Sequence, residues 1–193
     1  MTDRPIIFSA PMVRALLAGR KTQTRRLATS PLRRCEPGDR LWVRESWYCD
    51  HVDCQRGPYL KPPGYDHDDL LEHGFMLFAA DDNRWWEGPL PPFRPSLHMP
   101  RWASRLTLIV EAVKTEPLQA ISEADAIAEG CPGKLAPHPE FPNEWDPSPT
   151  EEYCDLWNSL HGADSWADNP EVVAITFRVE RANIDRLVDG GAR

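Results

Sequence analysis

The sequence predicts a single α+β domain over residues 1–193: a small mixed β-barrel of about five to six strands with two or three short helices. Three observations support this prediction. Segments with the two-residue alternation of strands lie far apart in the chain, and short segments with helix-capping residues lie between them. Residues 49–100 are rich in proline and tryptophan, which predicts a long, mostly irregular insertion. Such strands pair readily in a mixed barrel with helices over its ends.

The first predicted elements are a short strand at PIIFS and a helix that follows it. Ser9 is a suitable N-cap for this helix. Val13, Leu16 and Leu17 have the spacing of an apolar helix face, and Gly19 is the glycine expected just past the helix end. The chain then continues as a second strand.

Alternating segments predict the remaining strands. LWVRES follows the turn PGD and begins apolar but ends polar, SRLTLIVEAVKTEPL forms a long strand, and EVVAITFRVERA closes the domain. Within the insertion, GFMLFAADD is the one convincing strand segment. Residues 185–193 are predicted to be a flexible tail.

Two helices are predicted from capping boxes. Ser122 and Asp125 begin a short helix that ends at Glu129 and Gly130. The segment SPTE begins a second, longer helix. The apolar stripe of this longer helix comprises Tyr153, Leu156, Trp157 and Leu160.

Composition predicts a soluble cytoplasmic protein without a membrane span. Hydrophobic residues make up 41% of the chain and charged residues 27%, which is ordinary for a globular protein. No apolar run reaches the roughly 18 to 20 residues that a membrane helix needs, and the N-terminus lacks the apolar stretch of a signal peptide. The sequence does not distinguish a monomer from a dimer.

The net charge of −8 conceals an uneven distribution. Residues 1–44 contain ten Lys and Arg against three Asp and Glu, whereas the rest of the chain is strongly acidic. An acidic protein is a poor candidate for wrapping long nucleic acid, because that affinity depends on neutralising many phosphates. The basic segment could still hold a small anion or a few nucleotides.

The segment GRKTQTRR, residues 19–26, is the strongest candidate for a functional site. One interpretation is a solvated strand edge, since charged residues protect sheet edges from pairing. The alternative is catalytic: a lysine with cationic neighbours can act as a base at neutral pH, and a threonine hydroxyl needs such a partner to become a nucleophile. Thr24 and Arg26 share one face of a strand. An ideal strand would place Lys21 on the opposite face from Thr24, so catalysis requires the chain to bend between Gly19 and Thr24.

The pattern Gly19-x-Lys21-x-x-Thr24-x-Arg26 resembles the ASCH domain family, which belongs to the PUA-like barrels. The segments PLQAISEADAIAEG and EVVAITFRVER are similar to the short helix and the closing strand of that family. The segments VRESWY and RPSLHMPRWASR resemble a longer branch that is common in phages and prophages. The resemblance covers more than half of the chain and implies a PUA-like fold.

Within that family, the small bacterial N4-acetylcytidine amidohydrolases use a lysine, a threonine and a glutamate without a metal or organic cofactor. The resemblance implies that Lys21 and Thr24 are the first two of these catalytic residues. The family's glutamate lies at the C-terminal end of the short helix, where the capping-box register places Glu129. Those enzymes are much shorter and lack the insertion at 49–100, so for the longer branch the resemblance implies the fold more directly than the activity.

Five further residues are predicted to bind the substrate. Arg26 could hold an oxyanion or a phosphate. Glu45, at the polar end of its strand, could bind a base edge or orient Lys21, or could instead form an exposed ion pair with Arg40 or Arg44. Tryptophans can stack on a nucleobase, although filling the core is the alternative for most of them. The remaining predicted binding residues are Trp47, Trp102 and the adjacent Arg101.

The five cysteines are predicted to be reduced thiols, because they are odd in number and far apart in a chain of this size. The segment Cys49-Asp-His51-Val-Asp-Cys54, with His67 nearby, raises zinc binding as an alternative. Its spacing matches no standard finger and no clear second ligand pair follows. No metal is therefore predicted.

Three functional hypotheses follow. The first is hydrolysis of an N-acyl amide on a modified pyrimidine nucleoside, with Lys21, Thr24 and Glu129 as the catalytic residues. The second is a non-catalytic module that binds RNA or a modified nucleotide through the same residues. The third is a ribonuclease. The partner in each case is a modified nucleoside or a short RNA.

Overall fold

The structure is a computed structural model that describes residues 1–55, 59–84, 88–133 and 147–187. The chain folds into two compact units. The first comprises Met1–Leu17, Asp39–Ile109 and Val179–Arg193, and the second comprises Ala18–Gly38 and Val110–Arg178. The strands of the described residues are β1 (Asp3–Ile7), β2 (Gln23–Leu27), β3 (Arg40–Arg44), β4 (Trp47–Cys49), β5 (Met76–Phe78), β6 (Thr107–Pro117) and β7 (Glu171–Glu180). The α-helices are α1 (Ala10–Leu17), α2 (His67–Glu72), α3 (Glu123–Ala128) and α4 (Pro149–His161).

The predicted α+β class is confirmed, but the described strands do not close into a barrel. Five of them form one mixed sheet in the order β1-β3-β6-β7-β2, with β1 and β2 at the two edges. The short strands β4 and β5 form a separate antiparallel pair. No helix among the described residues is long and apolar enough to cross a membrane.

In the first unit, β3 pairs with β1 on one side and with β6 on the other. The pairing with β1 is parallel and the pairing with β6 is antiparallel. Leu41 and Val43 alternate with half-buried residues along β3, as expected for a strand with one face in the core. Helix α1 buries Val13 and Leu16, which confirms its predicted apolar face.

The insertion at 49–100 supplies most of a hydrophobic core, the insertion core, which also includes residues on either side of it. Pairing of β4 with β5 and the short helix α2 bring apolar side chains together from distant parts of the segment. The predicted strand within GFMLFAADD is confirmed as β5. Trp85 and Trp86 lie outside the described residues. The buried members of this core are Trp47, Cys49, Cys54, Leu70, Met76, Phe78, Met99 and Ala103.

The prediction that all five cysteines are reduced thiols is wrong, because Cys49 and Cys54 form a disulfide. A short turn of 3-10 helix at Val52–Cys54 reverses the chain, which brings the two Cα atoms to 6.0 Å. Both cysteines are fully buried. The other three are free thiols. No group of three potential metal ligands occurs among the residues that the structure describes.

In the second unit, β2 pairs antiparallel with β7, and helices α3 and α4 share a small core. Tyr153 and Trp157 of the predicted α4 stripe are buried, whereas Leu160 is 65% exposed. The prediction for Leu160 is therefore wrong: the helix ends one residue later, at His161, and the core does not reach its last turn. The capping boxes predicted at Ser122 and Ser148 are both confirmed.

Ser122→Ala is expected to lower the free energy of unfolding by about 1 kcal/mol, because the Ser122 hydroxyl accepts a hydrogen bond from the Asp125 N–H at the start of α3. Urea denaturation followed by circular dichroism measures this loss. Ser122→Thr keeps an N-cap oxygen and should stay close to the parent. Equal losses in the two variants would contradict a capping role.

Candidate active site

Lys21 lies in the short connection between the end of α1 and the start of β2. Gly19 has a φ of +69°, which a glycine adopts without strain. Lys21 and Thr22 precede the first residue of β2, so the alternation of an ideal strand does not apply between Lys21 and Thr24. The alternation of an ideal strand is therefore no objection to the catalytic hypothesis.

Two backbone hydrogen bonds place this connection beside the end of α3. The Thr22 N–H donates to the carbonyl oxygen of Ala128 at 2.8 Å, and the Thr22 carbonyl accepts from the N–H of Phe177 in β7 at 2.9 Å. Lys21 is thereby held next to Glu129, the residue that follows Ala128.

Lys21 and Glu129 form a buried ion pair. The Lys21 Nζ donates to Glu129 Oε2 at 2.8 Å and to the Glu129 backbone carbonyl at 2.7 Å. The two residues are 2% and 3% exposed, so solvent screens this interaction little. One glutamate thus supplies both its side-chain and main-chain oxygens to the same ammonium group.

The end of α3 sets the position of Glu129. The Glu129 N–H donates to the Asp125 carbonyl at 2.8 Å, which keeps Glu129 on the helical path as the C-cap residue. Gly130 then takes a φ of +93°, and the Cys131 N–H donates back to the Ala126 carbonyl at 3.0 Å. This closure of the helix with a left-handed glycine is typical of helix C-termini.

Arg25 is at the centre of a second, connected set of buried charges. Its side chain is 0% exposed and donates from Nη1 to Glu129 Oε1 at 3.3 Å. Its Nη2 donates to Glu116 Oε1 at 2.9 Å and lies 3.2 Å from Asp125 Oδ2. Its Nη1 also donates to the side-chain oxygen of Gln23 at 2.5 Å. Each oxygen of the Glu129 carboxylate therefore contacts a different cation, Arg25 or Lys21.

Thr24 and Arg26 form a further pair on the opposite face of β2 from Arg25. They are two residues apart in the strand and lie opposite Ile175 and Val173 of β7. The hydroxyl of Thr24 is fully buried and accepts a hydrogen bond from Arg26 Nη1 at 2.6 Å. Arg26 Nη1 also donates to the backbone carbonyl of Arg25 at 2.9 Å.

Burial shifts the protonation of three groups around this site. It lowers the pKa of the Lys21 ammonium, while the Glu129 carboxylate opposes that shift and Arg26 adds to it. Burial raises the pKa of the Cys131 thiol to about 12. It also raises the pKa of the Tyr153 hydroxyl, and the negative charge of Glu129 acts in the same direction. Cys131 and Tyr153 are therefore neutral at physiological pH, and Lys21 is closer to neutrality than an exposed lysine.

The other predicted site residues belong to the first unit. Glu45 is buried and makes two hydrogen bonds to Arg105, at 2.9 and 3.0 Å, so the alternative of an exposed pair with Arg40 or Arg44 is wrong. Burial raises the pKa of the Glu45 carboxyl, and Arg105 opposes this shift. Arg105 also binds Asp81. The sequence missed this pairing because Arg105 lies 60 residues from Glu45.

The predicted aromatic residues pack within the insertion core. Trp47 is fully buried, with its ring edge-on to Trp102 and Tyr59 at centroid distances of 5.9 Å. Its ring therefore offers no exposed face for stacking on a base. Trp102 is half-buried and donates from Nε1 to the Tyr59 carbonyl at 2.9 Å.

Arg101 is held by two carboxylates rather than presented to a substrate. Its guanidinium lies 2.6 Å from oxygens of both Asp3 and Asp185. The pKa of Arg101 is raised, chiefly by the hydrogen bond to Asp185. Asp185 belongs to a 3-10 turn at Ile184–Arg186, while residues 188–193 of the predicted tail lie outside the described residues.

A small pocket of about 140 Å³ borders the Arg25 cluster. Two alanines of β6 and β7 form its apolar part, and the remaining lining is polar. The Gln23 side chain is part of the lining and donates hydrogen bonds to Asp125 and to Thr176, both at 3.2 Å. The lining residues are Gln23, Arg25, Ala112, Lys114, Glu116, Asp125, Ala174 and Thr176.

Comparison with known proteins identifies no family for the chain. No protein-family model matches it, and no curated protein matches. A solved structure, described as the crystal structure of hypothetical protein PH0355, is 13% identical, with 93% of this chain and 100% of that chain covered, at a TM-score of 0.44.

Proposed function

We propose that this protein is an ASCH-type hydrolase that cleaves an N-acyl amide on a modified pyrimidine nucleoside, with N4-acetylcytidine as the prototype. The observation that supports this proposal is the buried contact of 2.8 Å between Lys21 Nζ and the Glu129 carboxylate. The second unit also contains the buried Thr24 hydroxyl, so one compact unit holds the lysine, the threonine and the glutamate.

In the proposed reaction, Thr24 is the nucleophile. Its oxygen attacks the acyl carbon while Lys21, as the neutral amine, takes the hydroxyl proton. The carbon–nitrogen bond then breaks while the proton taken up by Lys21 passes to the Glu129 carboxylate, which accepts a hydrogen bond from Lys21, and from there to the leaving amine. The acyl group remains as an ester on Thr24. Water hydrolyses this ester, releases the carboxylic acid and restores the threonine.

Arg26 has the chemistry to stabilise the negative charge that develops on oxygen. Its guanidinium is hydrogen-bonded to the Thr24 hydroxyl at 2.6 Å, and such a cation favours the deprotonated form of the nucleophile. A fixed donor next to the reacting oxygen also stabilises a tetrahedral intermediate. Arg26 can serve both roles if its contact to Thr24 passes to the carbonyl oxygen as attack proceeds.

The direct test is turnover of N4-acetylcytidine by the purified protein, followed by chromatography of cytidine and acetate. We expect equal amounts of the two products and a loss of turnover in Lys21→Met. Arg33→Gln, which changes an exposed arginine of the same unit, should retain activity. Absence of turnover in the parent protein would falsify the proposed activity on this prototype.

The rate should rise with pH as Lys21 loses its proton, because a general base must be neutral. Glu129 raises the pKa of Lys21, so its replacement in Glu129→Gln should lower that pKa. The acid limb of kcat/KM is therefore expected to move to lower pH in Glu129→Gln, even where the maximum rate falls. A limb that stays in place or moves upward would contradict Lys21 as the base.

The alternative is a module that binds a short RNA without chemistry. The exposed side chain of Arg20 in the second unit favours it, since it can contact a phosphate. Binding to a short oligonucleotide that weakens with salt, together with no change in N4-acetylcytidine, would favour this alternative. Cleavage of labelled RNA on a gel would instead favour the ribonuclease hypothesis.

A further inference from the structure

Arg25 links the catalytic pair to two other carboxylates through a single buried guanidinium. Its side chain is 0% exposed. It contacts carboxylate oxygens of Glu116, Asp125 and Glu129 within 2.9 to 3.3 Å. Without this cation, three negative groups would face one another in a region of low dielectric, where charges repel strongly.

We propose that Arg25 is a positioning residue for Lys21: it holds one oxygen of Glu129, so that the carboxylate presents its other oxygen to the lysine. This inference rests on the proposed function for its consequence in catalysis. Its structural part, the control of Lys21 protonation through Glu129, can be tested on the free protein.

The contacts support this arrangement, in which the two carboxylate oxygens of Glu129 bind different cations. The carboxylate has Arg25 on Oε1 at 3.3 Å and Lys21 on Oε2 at 2.8 Å, so both of its oxygens are occupied by cations. Rotation of the carboxylate would break one of these contacts. A carboxylate that already shares its charge with a guanidinium also stabilises the protonated lysine less than an unshared one does.

Among the residues that the structure describes, the charges around Lys21 are nearly balanced. Lys114 lies 2.5 Å from Glu116, so the connected set contains three cations, Lys21, Arg25 and Lys114, and three carboxylates, Glu116, Asp125 and Glu129. In the described part of the chain, the other titratable or charged groups that face Lys21 or its partners include Arg26 from β2, Cys131 after α3, and Glu152, Tyr153 and His161 from α4.

Removal of a positive charge and removal of a negative charge from this set should shift the titration midpoint of Lys21 in opposite directions. Arg25→Gln removes a cation, so that the Glu129 carboxylate contacts Lys21 but no longer a guanidinium. Protonation of Lys21 then becomes more favourable, and its titration moves to higher pH. Glu116→Gln removes an anion, so the titration of Lys21 moves to lower pH. Simple loosening of the fold would expose Lys21 to water in both variants and move the titration upward in both.

The chain has only four lysines, so Lys21 can be followed by NMR. Protein with 13C-labelled lysine is titrated, the Cε signals are recorded, and Lys21→Met identifies the Lys21 signal. We expect an upward shift of the midpoint in Arg25→Gln, a downward shift in Glu116→Gln, and no shift in Arg33→Gln. Equal midpoints in all variants, or shifts of one sign in both Arg25→Gln and Glu116→Gln, would overturn the proposal.

Activity supplies an independent measurement. At a pH below the titration midpoint of Lys21, a rise of that midpoint by one pH unit lowers the neutral fraction of Lys21 by about tenfold. The value of kcat/KM should fall by the same factor. Arg25→Lys keeps the charge and should recover part of this loss. If Arg25→Gln fails to fold, Glu116→Gln and Arg25→Lys decide between the outcomes. The NMR shifts are expected even if the parent protein does not hydrolyse N4-acetylcytidine, so failure of the proposed function and failure of this inference are distinguishable.

Discussion

Replacing Thr24 with valine is expected to lower kcat/KM for N4-acetylcytidine by roughly 10⁴-fold or more, because the substitution removes the nucleophilic oxygen. Valine has nearly the shape of threonine, and Thr24 is fully buried in β2, so the side chain should occupy the same space. The variant does leave one hydrogen bond of Arg26 unmade, which costs about 1 to 3 kcal/mol of stability. Rates measured together with urea denaturation separate these two effects.

The control for this prediction is Thr29→Val, which makes the same change at an exposed position in the same unit. It should leave the rate unchanged. Thr24→Ser keeps a hydroxyl and should retain part of the activity. Turnover at the parental rate in folded Thr24→Val would show that another group attacks the acyl carbon.

Glu129→Leu is expected to have the largest effect on stability, a loss of about 3 to 5 kcal/mol in the free energy of unfolding. The variant leaves the ammonium of Lys21 without its carboxylate partner and removes one of the three carboxylates around Arg25. Both cations are at most 2% exposed, so water does not replace the lost partner. Because domains are typically stable by only about 5 to 15 kcal/mol, this loss is measurable in urea at neutral pH.

The double variant Lys21→Met/Glu129→Leu tests the cause of this loss. It removes both charges of the ion pair and replaces them with apolar side chains of similar size. It should therefore be more stable than Glu129→Leu alone, since the cost lies in an unpaired buried cation. A loss below about 1 kcal/mol in Glu129→Leu would indicate an exposed ion pair instead of a buried one.

Features that depend on neighbouring residues could be predicted from the sequence. The helix α3 begins at the predicted capping box of Ser122 and ends where Gly130 allows a positive φ. The turn at Gly19 and the strand through Leu27 follow from the same kind of local signal. Caps and turns are made by groups a few residues apart, so a short window of sequence contains all the atoms involved.

Features that depend on distant partners were missed or wrong. Glu45 pairs with Arg105, 60 residues away, and not with its neighbours in the strand. The Cys49–Cys54 disulfide could not be predicted without the conformation of the turn between the two residues. Trp47 was predicted to contact a substrate but fills the insertion core.

For the candidate site, the order of residues was enough to identify the available groups: a lysine after a helix-ending glycine, a threonine and arginine on one strand face, and a glutamate at the end of a capped helix. The contact between Lys21 and Glu129, and the burial of Arg25 among carboxylates, became apparent from the folded chain. The reason is physical. Local signals set the conformation of each segment, whereas burial and charge pairing depend on segments about 100 residues apart, as in the pair Lys21 and Glu129.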